Sequence, residues 1–202
     1  MILNEKAVCS AMKQDVKDGG YVVFGMMHGD EKWIGISGYG GWMVLAAQSV
    51  MPRKILALIV EHAGELPEAG QSWKLEKPKK GEIQRQDTMF GMIEEEIRGL
   101  LGGDWSNARQ LGRMPLTLDG MGLWQDRQDL GIRRVAPELE ELAEWNGKAY
   151  GSGAYLVKSG LFSWCFVLRQ PEDGCHDVWL RHLEKMSWVG EGNAECRMQS
   201  AE

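Results

Sequence analysis

Three groups of residues in this chain have side chains capable of chemistry. His28, Asp30 and Glu31 sit together between two runs of β-forming residues. A carboxylate beside an imidazole can fix its tautomer and aim it for proton transfer, which is general-base chemistry. Turns also select such residues for backbone reasons, because short polar side chains hydrogen-bond their own main chain. A catalytic set drawn from this stretch would be His28, Asp30 and Ser37.

The second group is Gly35-Ile36-Ser37-Gly38-Tyr39-Gly40-Gly41. A nucleophile elbow needs G-x-S-x-G, and Tyr39 stands where the second glycine belongs. A dinucleotide loop needs a third glycine where the chain has Met43. What remains is a corner whose bare backbone can come close to a ligand, with Tyr39, Gly40 and Trp42 as contact residues. A purely structural turn is the plainer reading.

The third group is Cys165, Cys175, His176, His182 and Cys196. Zinc needs three or four such side chains converging tetrahedrally. His176 and His182 are six residues apart, so on a helix they point about 120° away from each other. Cys165 falls in an apolar run and reads as a small core residue. No metal and no cofactor is therefore expected. His62, near a helix end, is expected to meet terminal carbonyls.

The elements that position these groups follow from periodicity and punctuation. Asn4 can cap a helix over 4–18, with Val8, Met12 and Val16 on one face and Gly19-Gly20 as its stop. Residues 21–27 and 32–37 read as a β-hairpin about His28 to Glu31. Residues 42–51 are apolar enough for a buried helix or strand. Arg53 to Ala63 reads as a helix between Pro52 and Gly64, with a buried strand through Ile55 to Val60 as the alternative that periodicity alone does not separate. Residues 65–86, with Pro67, Gly70, Pro78, Gly81 and several lysines, predict a long loop or linker.

A helix opened by Asp87 carries Met89, Phe90, Ile93 and Ile97, and a short helix over 105–111 follows. Asp119-Gly120 marks a tight hairpin turn. Pro137 opens a helix that runs to Gly147. A second hairpin turns at Ser159-Gly160, and its strand 161–168 is apolar on both faces, as a central strand would be. Residues 175–187 form a last helix. Hairpins interrupted by helices predict a single α+β domain over 1–202, with a mainly antiparallel sheet packed against several helices. No repeat of fixed period is visible.

Composition narrows the function. The 202 residues carry 23 Lys and Arg against 29 Asp and Glu, a net charge of −6. That balance argues against nucleic acid as the partner, although Lys74, Lys77, Lys79, Lys80 and Arg85 surround Trp73. The uncharged run from Trp33 to Pro52 has too many Gly, Ser and Gln residues for a membrane span. Four cysteines without a C-x-x-C pair, and no basic-then-apolar leader, predict a cytoplasmic protein with free thiols.

Nine tryptophans are the unusual feature. An exposed subset would mark a partner surface, because Trp buries much area with few torsions. Trp73 falls in the expected loop and Trp105 in the short element after it, where burial is not demanded, and Glu94 and Glu95 lie in an acidic run that could steer a basic partner. The resulting expectation is a small acidic binding or regulatory protein, inhibitor- or immunity-like, that acts by contact with another protein; no motif completes a catalytic set, which leans away from an enzyme without deciding the point. The alternative is an enzyme or small-ligand binder centred on residues 28–42.

Overall fold

The computed structural model describes residues 3–39, 41–101, 109–144, 148–152, 155–168 and 177–188. Helix α1 (Glu5–Asp18) starts where the Asn4 side chain accepts the Ala7 N–H. Val8, Met12 and Val16 recur a turn apart and are buried, so α1 has one apolar stripe. Strands β1 (Tyr21–His28) and β2 (Glu31–Gly38) pair along their whole length about the predicted turn. The ambiguous segment after the glycine corner is a strand, β3 (Trp42–Ala47). Its side chains are apolar on both faces, and it takes a neighbour on each side. Helix α2 (Arg53–Ala63) ends at Gly64, whose φ of +88° is left-handed and needs no Cβ penalty.

The expected long loop over 65–86 is corrected. It contains β4 (Ser72–Glu76), which pairs with β1, and it runs into β5 (Gln84–Asp87), which pairs with β4. Trp73 and Leu75 alternate with Lys74 and Glu76, and both apolar residues are buried. That period-2 burial is what holds the segment against the sheet. Helix α3 (Phe90–Leu101) follows.

Strands β6 (Arg109–Leu118) and β7 (Met121–Asp126) form the hairpin marked by Asp119-Gly120. Both turn residues have positive φ, +50° and +77°, the combination of a type I′ turn. The expected helix over 105–111 is not there in its described part, since Arg109 to Leu111 already belong to β6. Then come β8 (Ile132–Val135) and α4 (Pro137–Glu140), a single turn rather than a helix running to Gly147. Strands β9 (Lys148–Ser152), β10 (Tyr155–Ser159) and β11 (Ser163–Leu168) and helix α5 (Asp177–Leu183) complete the described chain.

All eleven described strands join one antiparallel sheet in the order β5-β4-β1-β2-β3-β11-β10-β9-β6-β7-β8. The order contains a repeat that the sequence hides. From the third strand outward, β3-β2-β1-β4-β5 and β8-β7-β6-β9-β10 wind identically. Each half places a proline-started helix, α2 or α4, between its third and fourth strands. Strand β11 joins the halves by pairing with β3 on one side and β10 on the other.

Side-chain alternation gives the sheet two apolar faces. On one, Val23, Ile36, Val44, Cys165 and Trp124 share a core with residues of α1, α2 and α4. On the other, Phe24, Met26, Trp33 and Leu45 surround Ile97 of α3, and Met114, Leu123 and Ile132 surround Leu180 of α5. The coarse α+β expectation, a mainly antiparallel sheet with helices, describes this architecture.

Candidate functional site

The hairpin β1–β2 separates the residues of the sequence-derived catalytic set. His28 and Asp30 lie at its exposed turn. Ser37 lies seven residues beyond Asp30 along β2, about 23 Å away at the rise of an extended strand. The set His28, Asp30 and Ser37 is therefore not assembled. His28 instead stands edge-on to Trp33, with ring centroids 5.1 Å apart.

The other end of the hairpin is where the glycine corner meets α1. Gly40 lies outside the described residues. Tyr39 is 74% exposed, with its ring over Gly19, where an added Cβ would fall 2.8 Å from it. Trp42 is buried, and its Nε1–H donates to Asp15 Oδ2 at 2.8 Å. A Cβ on Gly38 would lie 2.1 Å from that oxygen, so glycine there makes room for the bond. Tyr39 and Trp42 consequently face two different hollows. Tyr39 borders one of about 250 Å³ beside Lys74. Trp42 lies under a cleft of about 330 Å³ between α1 and α4, whose rim carries Glu138 and Glu141.

A third hollow, of about 260 Å³, opens between the β3–α2 loop and the β10–β11 turn. Val50, Leu161 and Phe162 line it and are 50%, 84% and 44% exposed. The sequence pattern extends the strand back through Leu161-Phe162, which hides this patch, whereas β11 starts at Ser163. The available signal was an apolar pair immediately after Ser159-Gly160, where turns ordinarily place polar residues.

The expected partner residues are placed differently. Trp73 is buried, with the Arg85 guanidinium 4.1 Å above its ring, so it displays no surface to a partner. Arg85 is itself anchored, donating to the Ala63 carbonyl and to Glu65. Trp105 lies outside the described residues. Glu94 accepts from Arg98 one turn along α3, and Glu95 is exposed. Among the described residues, the large exposed apolar side chains are Leu, Val and Met residues with Tyr39 and Phe162, and no tryptophan.

His62 does not cap its own helix. It hydrogen-bonds the Tyr21 hydroxyl through Nδ1 at 2.8 Å, linking the last turn of α2 to the start of β1. Burial lowers the pKa of His62 and raises that of Tyr21. Burial likewise raises both described thiols, Cys9 and Cys165, and Cys165 is fully buried. Such thiols are poor nucleophiles. Among the described residues no three His, Cys, Asp or Glu side chains converge for a metal, and no helix is long and apolar enough to cross a membrane. Cys175, His176 and Cys196 lie outside them.

No protein-family model matches the chain, and no curated protein sequence matches it significantly. Among solved structures, it is similar to the DNA polymerase III subunit beta from Borrelia burgdorferi in complex with a natural product, at 12% identity and a TM-score of 0.34. That similarity covers 84% of this chain and 61% of that one. A TM-score of this size does not define a shared fold.

Proposed function

We propose that this chain is a binding or regulatory protein that works by contact with another protein. The hollow lined by Val50, Leu161 and Phe162 is its anchor point, and that patch is the observation that carries the reading. Folding gains nothing from a Leu-Phe pair held in water, whereas an anchor beside a small concavity is how interfaces concentrate their binding energy. The α1–α4 cleft extends the same surface. Trp42 and Ala46 lie four residues apart on one face of β3, and they line the cleft and the hollow respectively. A cytoplasmic setting agrees with the thiol usage.

The second reading is a small-ligand binder at the glycine corner. It is favoured by the contact of Tyr39 with bare backbone at Gly19 and by the hollow next to it.

A tagged chain and its Leu161→Asp variant, used to capture proteins from the source lysate at low and moderate salt, separate the two. Leu161 is exposed, so the variant keeps its circular dichroism and melting temperature. The expected result is a stoichiometric partner held by the parent chain and lost by the variant. A variant that holds the same proteins overturns the reading. A bound metabolite released from the pure chain, with no protein partner, replaces it with the second.

A further inference from the structure

We infer that residues 177–188 form a detachable strap, and that the groove beneath it is a docking site for a helical segment of a partner protein carrying the strap's own apolar spacing. The groove lies at the β8 end of the sheet and takes no residue from the hollow beside Leu161. Met114 of β6, Leu123 of β7 and Ile132 of β8 form its apolar floor. Leu180 is buried among them, and Leu183 and Trp188 pack against the same cluster.

The polar contacts of the groove are made to main chain. Gln125 of β7 is buried, and its amide pairs with the strap's backbone. Its Nε2 donates to the Met186 carbonyl at 2.8 Å, and its Oε1 accepts the Trp188 N–H at 2.8 Å. Such a pairing holds a segment by its backbone and leaves selection to the apolar side chains, which is how grooves take amphipathic helices. At the edge of the sheet, Glu184 accepts the Ile132 N–H at 3.1 Å. That N–H points away from β7, because Asp126 donates to Gly131 and hydrogen-bonded pairs alternate along the ladder. The strap thus covers apolar surface and part of a strand edge, two features that attract other chains when open.

Little holds the strap down. Its helix has seven residues, too few to stand alone in water. Among its described side chains only Leu180 is buried, and Arg181, His182, Lys185, Met186 and Ser187 are exposed. The Trp188 indole donates to the strap's own Leu183 carbonyl and not to the sheet. A segment with one buried anchor opens at a lower free energy than the sheet under it. Its tether gives it a high effective concentration, so it fills the groove until a competing segment displaces it.

The test uses the full chain, with a fluorescein-labelled peptide of residues 177–188 as the probe. Leu180→Asp in the chain removes the strap's anchor. That variant is expected to bind the peptide roughly tenfold more tightly than the parent does. A peptide carrying Leu180→Asp and Leu183→Asp is expected not to bind. Hydrogen exchange read by NMR follows the same opening. In the parent, the Ile132 and Trp188 amides are expected to exchange at one common rate, roughly tenfold faster than the Asp126 amide of the β7–β8 ladder. In Leu180→Asp the first two are expected to quicken and the Asp126 amide to stay as it was. If Leu180→Asp alters the circular dichroism, Trp188→Ala takes its place in both measurements. A folded variant that binds the peptide no better than the parent, or binds the doubly substituted peptide equally well, overturns the docking site. Ile132 and Trp188 amides that exchange no faster than Asp126 overturn the detachable strap.

Discussion

The Trp42 indole N–H reaches the Asp15 carboxylate across 2.8 Å, tying the first residue of β3 to helix α1 beneath a glycine at position 38. The bond is buried, so its loss leaves a desolvated carboxylate short of a donor. Trp42→Phe is expected to cost about 1–3 kcal/mol in urea unfolding. Gly38→Ala, which drives a methyl group into the same pair, should cost a similar amount, about 1–3 kcal/mol. A Gly38→Ala protein with an unchanged urea midpoint would show that the two groups are not held where they are described.

The second half of the sheet contains a comparable arrangement. Glu140 accepts from the Trp124 indole and from Arg113 Nε, and a Cβ at Gly122 would meet its carboxylate at 2.1 Å. Glu140→Leu should therefore cost on the order of 1–3 kcal/mol, while exposed Glu138→Gln should stay within about 0.5 kcal/mol. Thermal melts of the two variants side by side check this contrast. Equal effects would mean that Glu140 is a solvated surface residue.

The Tyr21–His62 pair predicts an acid-side loss of stability. Burial holds the imidazole below its ordinary pKa of 6.5, whereas the unfolded chain takes up its proton near that value. The unfolded state then binds more protons as pH falls, so this contribution is full above 6.5 and declines as pH drops toward the lowered folded value. The gap in urea midpoint between parent and His62→Gln should narrow from pH 7.5 to pH 5.5. A gap that widens on acidification contradicts a half-buried histidine kept neutral by its surroundings.

Thiol labelling tests the central strand. In a protein with Cys175 and Cys196 changed to serine, Cys165 should resist an aromatic disulfide reagent until denaturant is added, because it is fully buried and its thiolate is disfavoured. Cys9, partly exposed at the α1 surface, should react first and slowly. Rapid labelling of Cys165 without denaturant would mean that β11 is not held between β3 and β10.

Limited trypsin digestion probes the corrected segment. Lys79 and Lys80 lie exposed between β4 and β5, so cleavage is expected there. Lys74 and Arg85, placed in paired strands and in ion pairs with Glu76 and Glu65, should survive longer. Early cutting at Arg85 would restore the flexible-loop interpretation.

Elements with local signals were legible in the sequence. The Asp119-Gly120 turn, the Pro52 and Gly64 limits of α2, the Val8–Met12–Val16 stripe and the two apolar faces of 161–168 each follow from chemistry within a few residues. Strand β5 has no such signal. Gln84, Arg85, Gln86 and Asp87 are all exposed and are strand only because β4 offers its edge. Strand β4 carried the right alternation, but Pro, Gly and Lys around it masked a two-residue apolar set. Helix α4 failed the other way, since an apolar 3.6-residue pattern continues past Glu140 while Leu3 bridges to Ala143 and Leu142 bonds the Asn4 N–H. For the site, Trp42 was named for its proximity to glycines, but its carboxylate partner lies 27 residues away in sequence. Nothing local announces such a pairing.

The position of β11 bears on how the chain matures during translation. The five strands of the first half are complete once residue 87 has been made, yet the inner edge of β3 has no neighbour until residues 163–168 are available. For the whole of that interval a newly made chain carries an apolar strand, Trp42 to Ala47, with open backbone donors and acceptors. Such an edge is a template for pairing with any other strand in reach. Closure then requires a contact spanning more than a hundred residues, which makes it slow. The nascent chain's exposure to aggregation and to chaperones is therefore set by the delivery of six residues, Ser163 to Leu168.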